Sequence, residues 1–97
     1  MKLTVTPEAL DWFKREFDLE PGRGIEFFGK AYGSTQVHDG FSVGMSVDQP
    51  ENPIAKEEID GMLFFAEEED DWFFKGYDLT VDYNKELDEP KYIFTEN

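Results

Sequence analysis

Gly22-Arg23-Gly24-Ile25-Glu26-Phe27-Phe28-Gly29-Lys30, then Ala31-Tyr32-Gly33-Ser34-Thr35-Gln36-Val37-His38-Asp39-Gly40, then Phe41-Ser42-Val43-Gly44-Met45-Ser46-Val47, is the stretch whose reading decides the fold. Its outer parts read as two strands, Gly24–Lys30 and Phe41–Val47. The second alternates: Phe41, Val43, Met45 and Val47 share one face, and Ser42, Gly44 and Ser46 share the other, the period of two expected of a half-buried strand. Gly44, opposite the apolar set, implies close approach by a neighbouring strand or room for a ligand. Between the strands, residues 31–40 read as a long polar loop that holds the chain's single histidine.

Upstream, Leu3-Thr4-Val5 fits a short strand. Thr6 is placed to cap a helix with Pro7 at its first position. Leu10, Phe13 and Phe17 follow at helical spacing as its apolar face, with Trp12 beside them. Asp11 with Arg15, and Lys14 with Asp18, are spaced for i,i+4 ion pairs. Downstream, Ile54–Ile59 and Met62–Ala66 flank Asp60-Gly61, a strong hairpin signal. The continuous run Met62-Leu63-Phe64-Phe65-Ala66 fits a strand buried on both faces. Glu67-Glu68-Glu69-Asp70-Asp71 then reads as the solvated entrance of a short helix ending at Lys75-Gly76. Leu79, Val81 and Tyr83 mark another strand, residues 84–90 a charged loop, and Tyr92-Ile93-Phe94 an edge strand. The sum is an α+β domain spanning residues 1–97, with an N-terminal helix and a second short helix.

Composition narrows the function. With 23 acidic against 9 basic side chains, the formal charge is −14. That opposes binding to a phosphate backbone or to an anionic membrane surface. No cysteine is present, so disulfides, thiolate metal sites and thiol nucleophiles are excluded. No apolar run reaches the ~20 residues of a membrane span, and Met1–Val5 lacks a signal-peptide core; a cytoplasmic location is the expectation. Ser34 and His38, four residues apart, permit a nucleophile–base contact, but no strained elbow surrounds Ser34. His38 and Asp39 could make a metal site with carboxylates from outside the loop, although a lone surface histidine is more often a simple loop residue. The glycines match no nucleotide-binding fingerprint.

Gly33-Ser34, Gly40-Phe41-Ser42-Val43-Gly44-Met45, Ile59-Asp60-Gly61, the run Trp72-Phe73-Phe74-Lys75-Gly76-Tyr77-Asp78-Leu79-Thr80-Val81-Asp82-Tyr83, and Tyr92-Ile93-Phe94 form an ordered set. In that order the chain resembles the HesB/IscA-like A-type iron–sulfur cluster assembly proteins, and most of all a short, cysteine-free HesB-like branch of Gram-positive bacteria. The resemblance implies a compact β-sandwich-type α+β domain. In cluster-carrying members a Gly-Cys supplies one thiolate and a later Cys-Gly-Cys two more. Gly33-Ser34 falls at the first motif, and the second has no counterpart. Clusters are held by thiolates, occasionally by histidine, so neither a cofactor nor a metal is expected, and iron would be held only weakly by oxygen donors. The leading expectation is a non-enzymatic protein of the iron–sulfur biosynthesis family that binds a protein partner. The alternatives are a self-associating interaction module, as a homodimer, and a small enzyme using Ser34 and His38. Tyr32, Gly33, Ser34 and His38 form the candidate functional loop.

Overall fold

Thr6 accepts the Ala9 amide through Oγ1 at 3.3 Å, and Pro7 opens the first helix, α1 (Pro7–Glu16), in a computed structural model that describes all 97 residues. The helix buries Ala9, Leu10, Trp12 and Phe13. Phe17 stands at its C-cap and is half-buried. The i,i+4 pairs expected on its surface do not form. Lys14 reaches Asp60 (2.9 Å), and Arg15 reaches Asp88 (2.6 Å). Tertiary partners displace local ones here because an exposed i,i+4 pair contributes only a few tenths of a kcal/mol. Trp12 is a core residue whose indole N–H donates to the Asp88 carbonyl at 2.8 Å.

Seven strands form two sheets. In one, β1 (Leu3–Val5) lies parallel to β6 (Tyr77–Asn84), which pairs antiparallel with β7 (Glu89–Glu96), in the order β1-β6-β7. The other contains β2 (Gly24–Ser34), β3 (Asp39–Asp48), β4 (Pro53–Ile59) and β5 (Met62–Glu67), in the order β3-β2-β5-β4. The expected α+β, sandwich-type class is therefore observed. One core joins the sheets and helices. Phe13 meets Phe64 edge-on at 5.1 Å, and Phe27 stacks on Phe64 at 6.2 Å. Six phenylalanines are buried to 1% exposure or less, a load that lets so short a chain close a core. No helix is long and apolar enough to cross a membrane.

The Asp60-Gly61 hairpin forms as expected. Both residues take positive φ (51° and 79°), which the tight two-residue turn requires. Strand β5 is central and almost wholly buried. The second helix, α2 (Asp71–Phe74), stops one residue short of the expected end at Lys75 and is preceded by a 3₁₀ turn at Glu68–Asp70. Strand β7 is an edge, but Phe94 points inward at 7% exposure, so this edge offers less apolar surface for self-association than its sequence suggests.

One expectation about the central hairpin needs correction. Residues 31–40 are not a long loop. Strand pairing runs on to Ser34↔Asp39, and only Thr35–His38 connect the strands. The apolar face of β3 is half-buried at Phe41, Val43 and Met45 and exposed at Val47, because β3 is an outer strand of its sheet. Gly44 is explained by its neighbour: a Cβ there would stand 2.6 Å from the Phe28 ring across the pair. Gly24 is as tight and harder to relieve, since an added Cβ would meet the Leu63 carbonyl oxygen at 2.6 Å. Backbone cannot swing aside as a side chain does. Gly24→Ala is expected to cost about 1–3 kcal/mol in urea denaturation; an unchanged midpoint would show that β2 and β5 yield to the added methyl.

Candidate functional site

The β2–β3 hairpin end is built from a bulge. Ala31↔Phe41 and Ser34↔Asp39 are paired, and the register shifts between them to accommodate Tyr32 and Gly33. These two take φ of 78° and 86°. Glycine adopts that region freely, but a tyrosine there is strained. Tyr32 is also the most exposed large apolar side chain, at 85%. Beyond it, Thr35 Oγ1 accepts the Val37 and His38 amides, and the Thr35 amide donates to the His38 carbonyl at 2.8 Å. Gln36 Oε1 accepts the Phe94 amide at 2.7 Å, fastening the turn to β7 of the other sheet.

His38 turns inward. Its Nε2 donates to the Phe73 carbonyl at 2.7 Å, and its ring stacks on Phe73 at 4.8 Å. Trp72, half-exposed, stands edge-on to Phe41 at 5.2 Å and lies 6.3 Å from His38. The structure therefore separates the four residues named from sequence. Tyr32 projects into solvent, Gly33 completes the bulge, Ser34 is exposed, and His38 belongs to an aromatic group with Phe41, Trp72 and Phe73. No hydrogen bond joins Ser34 to His38, whose Nε2 is already engaged by Phe73. Trp72 is the functional candidate that spacing alone missed. Its exposure follows from where α2 sits against the hairpin.

The acidic run 67–71 is solvated only at Glu68, Glu69 and Asp71. Glu67 and Asp70 are 7% and 8% exposed. The two oxygens of Glu67 accept the Glu51 and Asn52 amides (2.6 and 2.9 Å), holding the connection before β4. Asp70 accepts the Gly29 amide at 3.2 Å, tying the 3₁₀ turn to β2. Glu26, on β2, is 9% exposed and has no hydrogen-bond partner. Its carboxyl is pushed up to about 7, first by burial and then by the charges of Asp70, Glu67, Asp48 and Glu69. Burial also raises Asp70, although the Gly29 amide opposes the shift. Glu26, Phe28, Ser46, Asp48, Glu69 and Asp70 line an open cleft of about 460 Å³.

The donor set does not fit an iron–sulfur cluster. The chain has no thiolate, Ser34 is exposed beside the bulge, and the one imidazole is bonded to a carbonyl.

Comparison with solved structures identifies the architecture as that of the A-type assembly proteins. Escherichia coli SufA, described as involved in biosynthesis of iron–sulfur clusters, superposes with a TM-score of 0.64 at 23% identity, over 98% of this chain and 80% of that one. At that identity the likeness is one of fold. Sequence relatives are nearer. The chain is 41% identical over 94 residues to the pyruvate dehydrogenase inhibitor of Bacillus subtilis, covering 97% of this chain and 99% of the relative. It is 35% identical over 95 residues to an uncharacterized protein of Staphylococcus saprophyticus, covering 95% and 97%. A Staphylococcus haemolyticus protein is 33% identical over 85 residues, covering 84% and 86%. No protein-family model matches the chain. The chain belongs to the family of the Bacillus subtilis pyruvate dehydrogenase inhibitor.

Proposed function

We propose that this chain is a cytoplasmic, non-enzymatic inhibitor of a pyruvate dehydrogenase, acting by protein–protein contact on an A-type scaffold that has dispensed with its cluster. The observation that carries the reading is near full-length identity of 41% to a protein named for that inhibition. The site's chemistry supports contact over catalysis. It provides an exposed tyrosine on a strained bulge and an adjacent Phe41–Trp72 surface, with no Ser34–His38 hydrogen bond. Aromatic side chains dominate the energetic centres of protein interfaces. The contact surface of this reading is the hairpin end together with the exposed side of α2.

The test is direct. Purified chain is titrated into a purified Bacillus pyruvate dehydrogenase complex while NADH formation is followed. The expected result is a saturable fall in rate whose midpoint depends on inhibitor concentration and which needs neither iron nor sulfide. An unchanged rate at large molar excess would refute the reading. So would inhibition that appears only after reconstitution with ferrous iron and sulfide.

A further inference from the structure

We infer that the cleft between β2, β3 and the 3₁₀ turn is a binding site for one hard divalent cation, held by the carboxylates of Glu26, Glu69 and Asp70.

Three observations converge on it. One oxygen from each of these residues lies within 4.8 Å of the others. Oxygen donors sit about 2.0–2.6 Å from Mg²⁺ or Ca²⁺, so ligands on opposite sides of one ion are separated by about 4–5 Å. Glu26 is nine-tenths buried, points into the cleft and has no hydrogen-bond partner. Its oxygens open onto the cleft and take no donor from the chain, so nothing in the fold competes with a cation for them. Finally, no lysine or arginine lines the cleft, whereas Asp48 adds a fourth carboxylate at its rim and Ser46 a neutral hydroxyl.

The chemistry selects the ligand class. An all-oxygen, carboxylate-rich set suits Mg²⁺, Mn²⁺ or Ca²⁺ rather than the softer metals that favour imidazole or thiolate. A single ammonium or guanidinium from a partner would leave most of the negative charge uncompensated; a dication offsets twice as much. The ligands are well supported. Asp70 is fixed by the Gly29 amide and keeps a second oxygen free, and Glu26 sits on a paired strand beside fully buried Phe65. Glu69 is exposed and can adjust to the ion.

Mn²⁺ alone is the probe, added to chelator-treated full-length protein and followed by electron spin resonance of the free ion. Amide spectra locate the bound ion through paramagnetic broadening. One saturable site per chain is expected, with the Gly29 and Asp70 amides broadened first and Ca²⁺ or Mg²⁺ competing. Glu26→Gln and Glu69→Gln should each weaken binding about tenfold or more, while Glu57→Gln on the exposed face of β4 should leave it unchanged. Because Glu69 is exposed, its variant folds even if the Glu26 variant does not. The proposal is overturned if no site saturates below about 1 mM, the weak end of protein calcium sites. It is equally overturned if both cleft variants bind as wild type does, which would assign the ion to diffuse surface charge.

Discussion

Tyr32→Gly is expected to weaken inhibition of pyruvate dehydrogenase about 10- to 30-fold while leaving the fold as stable as before. The two halves of this expectation have separate causes. Removing an exposed interface aromatic forfeits the ~2 kcal/mol typical of an energetic centre. The same replacement relieves a residue at φ 78°, where a non-glycine backbone is strained by about 1 kcal/mol. Glycine gives back roughly 0.5–1 kcal/mol through its freer unfolded chain, so the two stability terms nearly cancel. Nothing in the core depends on Tyr32, which is 85% exposed. Tyr32→Ala serves as the companion: it keeps the strain and adds no unfolded-chain freedom, so it should inhibit as poorly as the glycine variant and unfold at the wild-type urea midpoint. A strained position kept by a large aromatic is what a functional constraint produces. Unaltered inhibition by Tyr32→Gly would remove the hairpin end from the contact surface.

Much of this scaffold is legible because local chemistry and global fold agree there. Thr6-Pro7 starts a helix, Asp60-Gly61 makes a hairpin, and Met62–Ala66 lies in the middle of a sheet. The misreadings share one origin, in that local composition was overridden by distant pairing. Residues 31–40 carry glycine, serine, threonine and aspartate, the vocabulary of loops. Yet a two-residue bulge lets the strands continue through them. His38 reads as a loop histidine until α2 supplies the Phe73 carbonyl, 35 residues away. The acidic run 67–71 reads as a solvated helix entrance because acid at a helix N-terminus is favourable in itself. What the sequence could not disclose is the parallel pairing of β2 with β5, which sets Glu26 beside Phe65 and brings the 3₁₀ turn after β5 to the same cleft. A charged residue between Ile25 and Phe27, on the strand face turned away from the core, was the available signal. It acquires meaning only once a second acidic group is placed against it.

Glu26→Gln should stabilise the chelator-treated protein at pH 8, and the gain should vanish as the pH is lowered toward 4.5. The direction follows from proton binding. The folded carboxyl holds its proton up to about pH 7, against 4.5 in the unfolded chain. Between those values the folded state carries more protons, so its stability falls as pH rises through the window. Below 4.5 both states are protonated and Glu26 costs nothing extra; above 7 both are charged and the penalty is complete. At ~1.4 kcal/mol per pH unit, the displacement sets a ceiling near 3 kcal/mol. Because the Glu26 oxygens reach the water-filled cleft, screening reduces the expectation to about 1–2 kcal/mol. Asp78, Asp82 and Asp88 are held low by hydrogen bonds and lose their contribution in acid. They act equally in both proteins and cancel in the difference. Urea midpoints from pH 5 to 8 are the measurement: curves that run parallel across that range would mean that Glu26 is not strained by its neighbours. Saturating Mn²⁺ at pH 8 should then invert the order, raising the wild-type midpoint and not that of the variant, because the group that burdens the metal-free fold is the one the cation requires.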